Sequence, residues 1–134
     1  MKFLHQTRQF NCGQTCLAML LEITIGRAEQ LMMTVGSTST KEMRSALQQY
    51  GGCKLGPTTK VPIRFPDAWV VCEELLLLFV RNCPGVKAAN HWALWDGYHA
   101  LVLDPAMEQA LSARTYHMIL DASEARVTSF IKIR

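Results

Sequence analysis

Apolar positions along this chain follow a helical rhythm in its first half and dense runs in its second. Cys12, Cys16, Met19, Leu20 and Ile23 recur at three- and four-residue spacing, which predicts a helix from Cys12 to about Thr24 with Asn11 as its cap. Gly26 ends that element. Arg27–Thr34 reads as a short second helix closed by Gly36, with Leu31, Met32 and Met33 on its core side. Ser39 and Glu42 stand as the Ser-x-x-Glu of a capping box, so a third helix begins near Thr40 and stops at Gly51-Gly52. Residues 53–66 carry Gly56, Pro57, Pro62 and Pro66 and read as loop or edge strand.

Beyond Pro66 the stretch Trp69–Val80 is too evenly apolar for its period to separate helix from strand. It reads as a short helix or turn over Asp67–Glu74, then a buried strand Leu75–Val80. Arg81–Asn90 is polar, holds Pro and Gly, and reads as loop. Two aromatic-rich runs, His91–Trp95 and Tyr98–Leu103, flank Asp96-Gly97, the pattern of a hairpin with a two-residue type I′ turn. Asp104-Pro105 closes the second run, Ala106–Ala113 reads as a short helix, and Arg126–Ile133 as a last strand. Helices first and strands afterwards mean α+β, with N-terminal helices packed on an antiparallel sheet.

Composition narrows the function classes. The 134 residues suit a single domain over 1–134, without repeats or low-complexity segments. The net charge is +3, and no run of Lys and Arg interleaved with aromatics appears, so nucleic acid is not an expected partner. The longest strongly apolar stretch, Leu75–Val80, is far below the ~20 residues of a membrane span, and Met1–Gln6 leads into no apolar signal region. A cytoplasmic protein is expected. Five cysteines at irregular spacings suggest reduced thiols rather than a disulfide framework. Without any Cys-x-x-Cys pair, neither a metal nor another cofactor is expected.

One cysteine has chemically suggestive neighbours. A thiol nucleophile needs a stabilised thiolate, a base, an orienter for that base and donors for an oxyanion. Cys12 opens the first predicted helix, where the macrodipole favours a thiolate, and Gly13 leaves room for a substrate backbone. Gln6 is near enough through a turn for its amide to reach the same oxyanion site, while Cys16 falls one helical turn inward as core. For the base, hairpin geometry selects His91. A turn at Asp96-Gly97 pairs Trp95 with Tyr98, sets His91 opposite Val102, and leaves Asp104 as its diagonal neighbour on the same face. His99 points to the opposite face, and Asp96 belongs to the turn. Neither His5 nor His117 has a carboxylate placed by a predicted element. Trp92 and Trp95 could line a cleft, with at least one of them in the core.

The series Gln6-x5-Cys12-Gly13-x2-Cys16-Leu17-Ala18-Met19, then His91 on a strand and Asp104-Pro105, resembles the double-glycine (C39-type) peptidases. These are papain-like bacterial cysteine peptidases known for removing leaders from bacteriocin precursors. The resemblance implies a papain-like fold and hydrolysis of a peptide bond in an extended peptide or protein substrate. It implies Cys12 as nucleophile, His91 as general base, Asp104 as orienter and Gln6 as oxyanion donor. Two other readings keep the same residues: a thiol hydrolase acting, as an effector, on amide or isopeptide bonds of a partner protein, and a catalytically silent papain-like domain that only binds peptide.

Overall fold

The apolar run that hides its period does so because it is covered on both sides. The computed structural model describes residues 1–64, 66–86 and 90–134. Its elements follow in the order α1 (Cys12–Leu21), α2 (Ile25–Met32), α3 (Thr40–Gly51), β1 (Thr59–Lys60), a 3₁₀ turn (Ala68–Val71), β2 (Leu75–Arg81), β3 (Asn90–Asp96), β4 (Leu101–Leu103), β5 (Leu111–Ser112), α4 (Ala113–Ala122) and β6 (Arg126–Ile133). Among the described residues the strands form one open antiparallel sheet, ordered β1-β6-β2-β3-β4-β5. Leu77, Trp92, Leu94, Leu103, Ile131 and Ile133 pack from one face against Cys16, Leu17, Met43 and Leu47 of the N-terminal helices. Leu76, Leu78, Val80, Ala93, Trp95 and Val102 belong to a second core with Trp69, Tyr116 and Leu120. Successive β2 leucines therefore enter two different cores, and the alternation of a half-buried strand disappears.

The α+β expectation holds, with the N-terminal helices on an antiparallel sheet. A second layer goes beyond it: α4 covers the opposite face. The helix expected over 106–113 does not form: residues 106–112 are not helical and Ala113 is the first residue of α4. Ser112 instead caps α4, its Oγ accepting from Thr115 N at 3.2 Å. No helix among the described residues is long and apolar enough to cross a membrane. Part of the loop expected over 81–90, residues 87–89, lies outside the described residues, as does Phe65 of the loop or edge strand expected over 53–66.

Helix boundaries follow side-chain capping more closely than glycine positions. The capping box of α3 is formed in both directions, Glu42 N to Ser39 Oγ at 3.1 Å and Ser39 N to Glu42 Oε1 at 3.0 Å. Helix α1 stops at Leu21, earlier than expected, because Thr24 already caps α2 by accepting from Arg27 N. Gly26 thus lies inside the first turn of α2. Met33 is the left-handed residue that ends α2 and is 90% exposed, Leu31 and Met32 are half-buried, and Ala28 supplies the buried contact instead. Asn11 precedes α1 without capping it. Its Oδ1 accepts from Arg8 N and its Nδ2 donates to Thr7 Oγ1, so it braces the incoming loop.

The hairpin forms with a different turn. Trp95 pairs with Val102 and Asp96 with Leu101, so the register lies four residues from that of a two-residue turn, and Gly97–Ala100 make the connection. A type I′ turn needs positive φ at both central residues. Neither Asp96 nor Gly97 is among the positive-φ residues, whereas Ala100 has φ 55°. Gly97 serves close approach: a Cβ there would lie 2.2 Å from Cys72 O and 2.6 Å from Glu74 N.

Gly97→Ala is therefore expected to cost about 1–3 kcal/mol, the usual penalty for overpacking against backbone. Gly26→Ala, where a Cβ meets nothing within 4 Å, should stabilise by up to ~1 kcal/mol through helix propensity. Urea unfolding of the two variants measures both signs.

Candidate active site

Asp104 follows the last residue of β4 and is 1% exposed. A buried carboxylate persists only where donors replace its water. Asp104 has several: His91 Nε2 and Ala106 N (2.8 Å) donate to Oδ1, Tyr116 OH (2.5 Å) and the Cys83 thiol (3.6 Å) to Oδ2. Continuing the observed register sets Asp104 opposite Ala93, one diagonal step from His91. The expected partnership survives because the two registers differ by an even number of residues, which preserves the sheet face.

The His91 and Asp104 side chains are both fully buried. Burial works against the imidazolium, but the Asp104 charge and hydrogen bond outweigh it, Cys12 adds to them, and the His91 pKa is pushed up to about 10. Burial likewise works against ionised Asp104. The His91 charge and hydrogen bond, with those from Tyr116 and Ala106, overcome it and hold the carboxyl below its ordinary 3.8. Together these directions describe a buried ion pair at neutral pH.

Cys12 comes from the other layer. It is the first residue of α1, 6% exposed, and its thiol interacts with the His91 ring. With Nε2 committed to Asp104, the nitrogen left for the thiol is Nδ1. That atom is buried and makes no hydrogen bond among the described residues. Cys12 also lines a cavity of about 470 Å³ with Phe10, Ser37–Thr40, Phe79, Asn90 and Trp92. Trp92 Nε1 donates to Thr38 O (3.1 Å) and ties that wall to β3. Trp95 is core, its Nε1 bonded to Cys72 O. Thus one of the two tryptophans faces the cleft.

Gln6 is not brought to this cavity. Its Nε2 donates to Arg8 O (2.9 Å) and Gln9 O (3.2 Å), and it lines a separate cavity with His5 and Ala106. Its backbone stays close to the site, Gln6 N donating to Pro105 O at 2.8 Å. The amides of the first turn of α1 are nearer donors, since Asn11 supplies no side-chain cap to them.

The remaining histidines serve elsewhere. His99, expected on a strand face, sits in the turn with its ring on Asp96 (2.8 Å) and its side chain 73% exposed. His5 Nδ1 pairs with Met107 O. His117 does have a carboxylate, Asp67 at 3.1 Å, and stacks on Trp69. Ligand atoms of Cys83, His91 and Asp104 lie within 4.8 Å of one another, a grouping that could hold a metal. Burial, and then Asp104, push the Cys83 thiol well above its ordinary value. Hydrogen bonds join the three through Asp104. All five cysteines are free thiols.

Tyr116 and Cys83 escape a reading of the sequence. Tyr116 and Leu120, one turn apart and both buried, form a short apolar stripe that could have marked α4; nothing in the sequence links Cys83 to Asp104. Comparison with protein-family models, curated proteins and solved structures found no match for this chain.

Two measurements probe these electrostatics. His91, with its pKa raised, lends stability that is complete below its unfolded value of 6.5 and is lost as pH rises toward 10. Asp104, with its pKa lowered, lends stability that is lost as pH falls below 3.8. The Tm gap between wild type and His91→Gln should therefore be widest between pH 3.8 and 6.5, and should narrow from pH 6.5 to 10. In brief iodoacetamide treatment read by mass spectrometry, Cys12 should alkylate ahead of Cys16, Cys53, Cys72 and Cys83. Burial raises the pKa of Cys16, Cys53 and Cys83.

Proposed function

We propose that this chain is a papain-like cysteine peptidase that hydrolyses a peptide bond in an extended segment of a peptide or protein. The observation that carries this reading is the series thiol, imidazole, carboxylate, running from the cavity at Cys12 through His91 to the fully buried Asp104. A domain that only bound peptide would gain nothing from burying a charged pair, whose desolvation costs several kcal/mol per ion.

His91 remains an imidazolium at neutral pH, the natural counter-ion for a Cys12 thiolate. In this mechanism the sulfur attacks the carbonyl carbon, and the carbonyl π electrons move to oxygen. The first-turn amides of α1 stabilise that oxyanion. As the C–N bond breaks, His91 gives its proton to the leaving amine, and a thioester remains on Cys12. Water then attacks the thioester, neutral His91 accepts its proton, and the carboxylic acid leaves as the thiolate returns. Asp104 holds the imidazolium in place throughout. A cytoplasmic, reducing setting goes with a chain of free thiols.

The cleft restricts substrate chemistry. Among the described residues its lining, Phe10, Cys12, Ser37–Thr40, Phe79, Asn90 and Trp92, carries no Asp, Glu, Lys or Arg, which suits a neutral segment. Action on amide bonds of a folded partner would use the same chemistry.

Peptide hydrolysis tests this reading. Cys12→Ala should abolish turnover and His91→Ala come close to that, while Asp104→Ala costs less. Gln6→Ala should cost less than the ~10²–10³ in rate typical of one oxyanion donor, because its amide is held by Arg8 O and Gln9 O away from the cavity. His99→Ala should leave turnover nearly intact, because its ring lies in the turn on Asp96. Loss of activity in His99→Ala with His91→Ala spared would sink the assignment.

A further inference from the structure

We propose that Tyr116 is a positioning residue of this site. Its hydroxyl, donated to Asp104 Oδ2, fixes the rotation of the carboxylate so that Oδ1 stays on His91 and the other ring nitrogen stays with Cys12. The inference rests on the peptidase reading for its kinetic consequences, but not for its structural ones.

A carboxylate turns easily about its last torsion, where the energy wells are broad. Oδ1 alone carries the bonds from His91 and Ala106 N. Without a firm donor on Oδ2 the group could rotate and offer His91 a different oxygen at a different angle. The Cys83 thiol is a weak donor at 3.6 Å, so the rigid constraint falls to the phenol. Tyr116 is suited to that role, being 0% exposed, with its ring packed in the second core and its hydroxyl bonded to Asp104. Burial, followed by the Asp104 charge, keeps the phenol protonated and therefore always a donor. Helix α4, started by the Ser112 cap, is the arm that delivers it.

A purely structural tyrosine would be replaceable by phenylalanine without electrostatic effect, which makes the role testable. In Tyr116→Phe, Asp104 loses one donor to its charged form. The acidic limb of kcat/KM should move to higher pH by about half to one unit, and kcat should fall about tenfold with KM unchanged. Site-specific 3-fluorotyrosine at position 116 keeps the shape and makes the phenol a stronger donor, so the acidic limb should move to lower pH. Should Tyr116→Phe fail to fold, the fluorotyrosine protein carries the test alone.

The Asp104 carboxyl and His91 ring are also titrated by NMR in the full chain bearing Cys12→Ala, where no turnover is needed. Opposite shifts of the Asp104 titration in the phenylalanine and fluorotyrosine proteins support the positioning role even if no peptide is ever hydrolysed, an outcome that would count against the peptidase reading alone. A lower Tm with the Asp104 titration and acidic limb unmoved would overturn it, leaving Tyr116 as packing.

Discussion

A negative charge with almost no access to water organises this molecule. Asp104 is 1% exposed, and an uncompensated carboxylate at such a depth would neutralise itself or unfold its surroundings. Each element near it supplies a compensation: β3 the imidazolium, the turn after Pro105 a backbone N–H, α4 a phenol, and the segment after β2 a thiol. Removing one partner of such a buried pair typically costs ~3–5 kcal/mol. Strand register, the placing of α4 and the path of residues 83 and 106 thus converge on a single group.

Cys12 and His91 belong to opposite faces of the sheet. By strand alternation His91 belongs with Ala93 and Trp95 on the α4 face, whereas Cys12 belongs to the core of the N-terminal helices. Thiol and imidazole meet where β3 begins, beside the cleft walled by Ser37–Thr40 and Trp92. Cys12 thus lines the cleft while the His91 and Asp104 side chains are fully buried. Charge interactions inside are correspondingly stronger than they would be in water.

Much of this is legible in the chain. The capping box at Ser39 and Glu42, the strand Arg126–Ile133 and the pairing of His91 with Asp104 each follow from local chemistry or sheet parity. The turn is not, because Asp96-Gly97 has two possible uses. Here Asp96 Oδ1 accepts from Tyr98 N and His99 N in a longer connection, and Gly97 admits the backbone of Cys72–Glu74. Asn11 misleads for a related reason, since its amide finds partners upstream instead of capping α1. Tyr116 stays invisible because its importance is set by a tertiary contact with a residue on another element, which no periodicity records.

Strand β6 lies between β1 and β2 although it follows both in the chain. During synthesis, then, β2 waits with one edge unpaired and leucines on both faces until β6 arrives, an exposed template for wrong pairings. That hazard ends only when the last strand of the chain enters between β1 and β2 and pairs with both.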